Sequence, residues 1–175
     1  MENTTENPLV ITISREYGSG GHKIGEKSAQ ALGVEFYDNI KMDKSVTDFG
    51  PGALLDARRK FIREKAAEKS CVFVSALADS ELEKRPNTLR VFIRAPKWFR
   101  KKRVKKYTQV STPIAEKEMF RIDNLRRSQC REYSGRMWGS PEDYDLYIDS
   151  SVLGIATTAK KIVKAARAIG APVVK

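Results

Sequence analysis

Histidine and cysteine are nearly missing from this sequence: one of the former and two of the latter in 175 residues. A histidine-rich metal site is thereby excluded. Cys71 and Cys130 form neither a disulfide framework nor a zinc pattern, and Cys71, at the start of an apolar run, reads as core. No apolar stretch approaches the roughly 20 residues that a membrane-spanning helix needs. The opening MENTTENP is polar and lacks a basic start followed by an apolar segment. It does not read as a secretion signal, and residues 1–8 are expected to be a flexible tail. Repeats and low-complexity segments are missing too. A cytoplasmic protein without a membrane partner is the default expectation.

Acidic residues are also short, 22 against 33 basic, which leaves a formal charge of +11. Such a balance attracts anionic partners at long range. It does not choose among nucleotide phosphates, nucleic acid and acidic proteins. What the chain does have is 41% hydrophobic residues, enough at this length for one domain with its own core.

Strands are expected at 10–14, 34–38, 71–76, 89–95 and 144–151. Helices are expected at 22–33, 53–70, 96–107, 114–133 and 155–170, with a short one over ADSELEKR. CVFVSA is uninterrupted and apolar, as in a sheet covered on both faces. Gly33 is a plausible helix stop, and Pro96 opens a helix. Residues 39–52, with Gly50-Pro51-Gly52, read as irregular. Strand followed by helix, five times, predicts an α/β fold: a three-layer α/β/α sandwich around a five-stranded parallel sheet.

The segment SREYGSGGHKIG lies between the first strand and the first helix. Glycines let successive backbone N–H groups point into one cup, and a helix start adds partial positive charge, so this is where phosphates bind. Gly18, Ser19, Gly20, Gly21 and His22 are the candidate cradle. In the usual pattern GxxxxGK[ST], lysine reaches the β/γ-phosphates and the hydroxyl serves magnesium. Laid on Gly18-Ser19-Gly20, that pattern puts Gly21 at the lysine place and no serine or threonine after it. Arg15 and Lys23 flank the loop and could supply the charge. A glycine-rich turn without a ligand is the plain alternative.

ITISREYGSGG followed by the FYD strand resembles the opening of the cytidylate kinase-like family of P-loop proteins. CVFVSALADSELEKRPNTLRVFIRAP and IDNLRR…YSGRMWGSPEDYDLYIDSSVLGI resemble its later segments, in order, over nearly the whole chain. The resemblance implies a P-loop NTPase-like fold over residues 9–175, ATP and magnesium as cofactors, and transfer of the γ-phosphoryl group to a nucleoside monophosphate such as CMP or dCMP. The family itself carries GSGG, so Gly21 is no departure. Two departures are present: Ser75-Ala76 stand where members carry Gly-Arg, and the acceptor region, about 39–56, is short. The resemblance also implies an arginine-rich lid over about 108–140, with Asp123 and Arg126 as its D–x–x–R core.

Phosphoryl transfer needs positioning and positive charge more than covalent help. Arg15, Lys23, Arg121, Arg126 and Arg131 are the candidate catalytic cations, set against the alternative of a solvated charged helix. Asp38, at the C-terminal end of the second strand, could orient an acceptor, or be a turn residue. Tyr37 could contact a base or ribose, or simply pack. KWFRKKRVKK, with seven basic residues, reads as a solvated helix more readily than as a nucleic-acid patch. Trp98 and Phe99 read as core. Asp79 reads as a helix-surface residue. Two further readings stay open: a nucleotide-binding sensor or partner protein without catalysis, and a nucleic-acid binder driven by charge. The oligomeric state has no signal in the sequence.

Overall fold

A computed structural model describes residues 7–45 and 53–170. Most of the expected tail, 1–6, lies outside the described residues, as do 46–52 and 171–175. The last two tail residues are tied down: the Asn7 carbonyl accepts from Asn87 Nδ2 at 2.6 Å and the Pro8 carbonyl from Arg85 Nη2 at 2.7 Å.

Five strands make one sheet: β1 (Val10–Arg15), β2 (Glu35–Asp38), β3 (Cys71–Val74), β4 (Thr88–Arg94) and β5 (Leu146–Asp149). The order is β2-β3-β1-β4-β5, with every pairing parallel. β1 is central, so both its faces are covered and its residues through Ser14 are buried. Alternation along the strand sorts the core. Ile11 and Ile13 join the layer of α1 (Gly21–Leu32) and α7 (Ser150–Ala168), whereas Val10 joins that of α3 (Ala53–Glu68) and α4 (Ala76–Glu81). α6 (Thr112–Ser134) continues this second layer, where Cys130 meets Phe92, Trp138 and Tyr144. α5 (Lys97–Thr108) packs Val104 against Ala115 and Met119 of α6. The three-layer α/β/α sandwich is therefore present as expected.

The ends of elements follow local chemistry. Gly33, at φ 67°, closes α1 by giving its N–H to Ala29 and Gln30 carbonyls. Asp149 caps α7 by accepting from Ser151 N at 2.9 Å. That cap ends β5 early and starts α7 five residues before the expected position, with a break at Gly154. Ser75 leaves the strand to cap α4, accepting from the Leu77 and Ala78 amides. The place of the expected Gly-Arg is thus taken by a helix cap.

The irregular reading of 39–52 needs correction over its first half, since Asn39–Ser45 is helix α2. Asp38 supplies the start signal by accepting from Lys41 N at 2.7 Å, and Met42, fully buried, anchors the helix to the core. Asp79 also differs from expectation. It is 1% exposed and gathers a network. Arg90 donates to its Oδ1 through Nε and Nη2 at 3.0 and 2.7 Å. Its Oδ2 accepts from Arg136 Nη2 at 3.3 Å, Tyr144 OH at 3.1 Å and Ser14 Oγ at 3.4 Å. A lone buried carboxylate is costly; this one is paired with two guanidinium groups. Trp98, 64% exposed, is likewise outside the core that the sequence suggested.

Candidate functional site: a phosphate loop with unpaired guanidiniums

The loop between β1 and α1 is fixed at its entry from α5 and α6. Arg126 Nη1 donates to the Arg15 carbonyl at 2.9 Å. Tyr17 N donates to Asp123 Oδ1 at 2.7 Å, and Arg100 Nη1 donates to the Tyr17 carbonyl at 2.9 Å and to Asp123 Oδ2 at 2.8 Å. Glu16 accepts from Ala95 N at 2.9 Å. At the exit, Ser150 Oγ donates to the Ser19 carbonyl at 2.6 Å. Helices α5, α6 and α7 and the end of β4 therefore hold Arg15, Glu16, Tyr17 and Ser19. The Asp123–Arg126 pair expected in a lid bonds directly to the loop.

Gly20 caps α1 at φ 89°, a left-handed conformation that side chains resist, and leaves the first-turn amides of α1 facing outward. Above it sits Arg103: a Cβ on Gly20 would collide with Arg103 Nη1. Gly21 is glycine for a different reason. A Cβ there would lie 2.6 Å from Arg15 Cγ and 2.7 Å from Arg15 Cβ. The Arg15 stem fills the space that any side chain at the lysine place would need.

A cleft of about 490 Å³ opens over the loop, with Arg15, Arg103, Arg126, Tyr107 and Ile155 in its walls. Arg15 Nη1, Ser19 Oγ and Arg103 Nη1 are buried and have no hydrogen-bond partner. Burial, and after it the charge of Arg126, pushes the Arg15 guanidinium well below its ordinary range; Asp38 and Asp123 oppose this. Burial likewise pushes Arg126 down to about 10, with Asp123 opposing. Cations crowded this way lack an anion.

The candidate residues separate on this geometry. Arg15, Gly18, Gly20, His22, Lys23 and Arg126 line the cleft; Ser19 and Gly21, buried in the loop between them, are not in its wall. Lys23 stands at the rim, 58% exposed and paired with Glu26 at 2.7 Å. Asp38 touches His22 Nδ1 at 3.3 Å. Three candidates are not brought in. Tyr37 is 5% exposed and stacks on Phe73 in the core, its phenol pushed up to about 12 by burial. Arg121 is exposed and bonds Glu118 through two nitrogens, at 2.9 and 2.6 Å. Arg131 is exposed and outside the cleft wall.

Arg103, in the cleft wall, and Arg100, bonded to Tyr17 and Asp123, are the site residues that the sequence did not point to. Both sit in the run read as a solvated helix. Their i, i+3 spacing on the face of Val104 was the available signal, drowned by the five other cations of the run. With these two turned inward, and Lys101 paired to Glu116 at 3.0 Å, less of that run is left for a nucleic-acid patch. Among the described residues no three His, Cys, Asp or Glu side chains come together to hold a metal. No described helix is long and apolar enough to cross a membrane.

A parallel sheet ordered β2-β3-β1-β4-β5, with a glycine loop between its central strand and α1, defines a P-loop kinase-like protein. The chain belongs to the cytidylate kinase-like family, whose profile matches residues 10–52 and 51–152. A solved structure of an uncharacterized protein from Eubacterium ventriosum is similar, at 29% identity and TM-score 0.83, over 91% of this chain and 98% of that one. Shikimate kinase from Bacteroides thetaiotaomicron shares the fold at 12% identity and TM-score 0.59, over 91% and 98% of the two chains. Shikimate kinase from Acinetobacter baumannii, solved with shikimate, does so at 16% and 0.59, over 94% and 96%. Among curated proteins, none matches the sequence.

Proposed function

We propose that the chain is an ATP-dependent phosphotransferase in which Arg15 does the work of the missing P-loop lysine. The observation that carries this is the set of orphaned buried donors, Arg15 Nη1, Ser19 Oγ and Arg103 Nη1, around one glycine cradle. A polyphosphate fits that set. The amides of residues 20–23 at the start of α1 receive its oxygens, Arg15 and Arg103 neutralise them, and Arg126 adds charge while holding the loop entry. Arg15 serves better than Lys23, because Lys23 is exposed and engaged by Glu26. Magnesium supplies further neutralisation when bound. With His22 at the hydroxyl place, the phosphates and water would be its principal ligands.

The family supplies CMP or dCMP as the acceptor. A sensor that binds nucleotide without transfer would use the same cradle, and Ser75, spent on capping α4, favours it over the family's ordinary form. Two readouts separate these. ATP with magnesium at 100 times Kd should stabilise the fold by about 2.7 kcal/mol. Release of ADP together with a phosphorylated product marks the transferase, and a thermal shift without either marks the sensor. No shift at millimolar ATP would sink both.

A further inference from the structure

A second groove, of about 600 Å³, runs between α1 and α7 and shares no lining residue with the phosphate cleft. Its floor is apolar and made of small side chains: Ala31 of α1 and Ala156, Ala159 and Val163 of α7. Its rims are cationic. Lys27 stands on α1, and Lys160, Lys164 and Arg167 stand on α7, all four exposed. The last three follow i, i+4, i+7 spacing and so form one stripe along the helix. Among the described residues, none of the four finds a hydrogen bond or an ion pair. Cations elsewhere on the surface are treated differently. α3 sets Lys60 against Glu64 and Lys65 against Glu68, α6 sets Arg121 against Glu118, and Lys97 and Lys101 of α5 share Glu116. α7 contains no acidic residue. Glu26, the single carboxylate of α1, lies within electrostatic reach of Lys27 but is bonded to Lys23 at 2.7 Å. Like charges left together repel, and a common counterpart for these four comes only from outside.

We infer that this groove is a docking site for an acidic amphipathic helix of a partner protein. The apolar stripe of that helix lies on the alanine and valine floor. Carboxylates on its two flanks meet Lys27 on one rim and Lys160, Lys164 and Arg167 on the other. Small floor residues let the helix axis approach closely. Carboxylates at i, i+4 and i+7 repeat the spacing of the α7 cations, about 6 and 4.5 Å along the axis. DNA or RNA is the rival polyanion, and the floor argues against it. No aromatic side chain lines the groove for a base to stack on, and phosphates gain nothing from alanine and valine. A second copy of the chain, itself carrying +11, is repelled.

The probe is a fluorescent helical peptide of roughly 16 residues, four to five turns, with leucine at every third or fourth position and glutamate on both flanks. It should bind the full chain in a fluorescence-anisotropy titration at low salt. A scrambled peptide of the same composition, which has the charge without the apolar stripe, should bind about tenfold more weakly. The double variant K160E, K164E reverses two exposed charges and should weaken binding about tenfold or more. A156F keeps every charge and fills the floor at an exposed position. It should weaken binding by about as much, which a merely cationic patch would not show. Melting temperatures of both variants should match the wild type, since neither position is buried. Failure of the wild type to bind the peptide, equal binding of the scrambled peptide, or wild-type affinity in either variant overturns the inference. So does tighter binding of a DNA duplex or of phosphatidylserine vesicles through the same residues, or a dimer in sedimentation that K160E, K164E dissolves.

Discussion

Asp79 draws Arg90, Arg136, Tyr144 and Ser14 onto one buried carboxylate, whereas Arg15 and Arg103 meet over the loop with no carboxylate bonded to either. Both clusters put guanidinium groups out of water. In the first, Asp79 together with Glu83, 3.2 Å from Arg136 Nε, supplies a carboxylate for each guanidinium, although Arg136 Nε and Nη1 make no hydrogen bond; the cluster holds β1, β4, α4 and the end of α6 together. In the second, Asp38 and Asp123 are the nearby carboxylates; Asp38 accepts from Lys41 N, and Asp123 already serves Tyr17, Arg100 and Arg126. Uncompensated cations cost stability and are worth keeping where an anion arrives from outside. The difference separates a structural knot from the proposed ligand site, although the residue types are the same.

Breaking the structural cluster should have the largest effect. Asp79→Asn leaves two buried guanidiniums short of charge and is expected to cost about 3–5 kcal/mol in a denaturant titration. ATP should still bind whatever fraction stays folded. Breaking the loop cluster should do the opposite. Arg15→Met is expected to leave the melting temperature equal or higher, since a desolvated cation is gone. ATP affinity should fall about 100-fold, or about 2.7 kcal/mol, by calorimetry. A destabilised Arg15→Met with intact ATP binding would make the two clusters the same kind.

The smallest effect is a pH dependence that neither cluster causes. Burial pushes the Cys71 thiol up to about 12, as it does the Tyr37 phenol. The unfolded chain releases these protons near 9 and 10, and the folded chain keeps them. Stability is therefore complete below pH 9 and falls above it, by about 1.4 kcal/mol per pH unit for each group fully titrating. Equilibrium unfolding at pH 8 and pH 10 checks this, and Cys71→Ala should flatten the early part of the fall. Arg126, pushed down to about 10, acts in the other direction only above that pH.

Much of the fold was legible because its signals are local. The apolar run CVFV, the glycine punctuation and the strand–helix alternation are set by nearest-neighbour chemistry, and the parallel sheet followed from them. α2 was not legible, since NIKMDKS has one buried anchor, Met42, and its start signal comes from Asp38 in the preceding strand. The site was half legible. Gly18, Gly20, His22, Arg15, Lys23 and Arg126 line the cleft, but Arg103 was hidden in a basic run and Tyr37 belongs to the core. Which arginines of a charged helix turn inward depends on tertiary packing, here Val104 against α6, and the i, i+3 spacing of Arg100 and Arg103 alone does not single them out.

The contact between Gly21 and Arg15 also constrains how this loop can change over generations. A lysine restored at 21 would meet the Arg15 stem within 2.7 Å, and on the proposed role of Arg15 its loss alone would leave the cradle with only Arg103 and Arg126. Each single step lowers function, and only the joint change, a small residue at 15 with lysine at 21, rebuilds the ordinary loop. The pair is an epistatic lock: two alternative solutions to one electrostatic requirement, separated by a valley that substitutions taken one at a time do not cross.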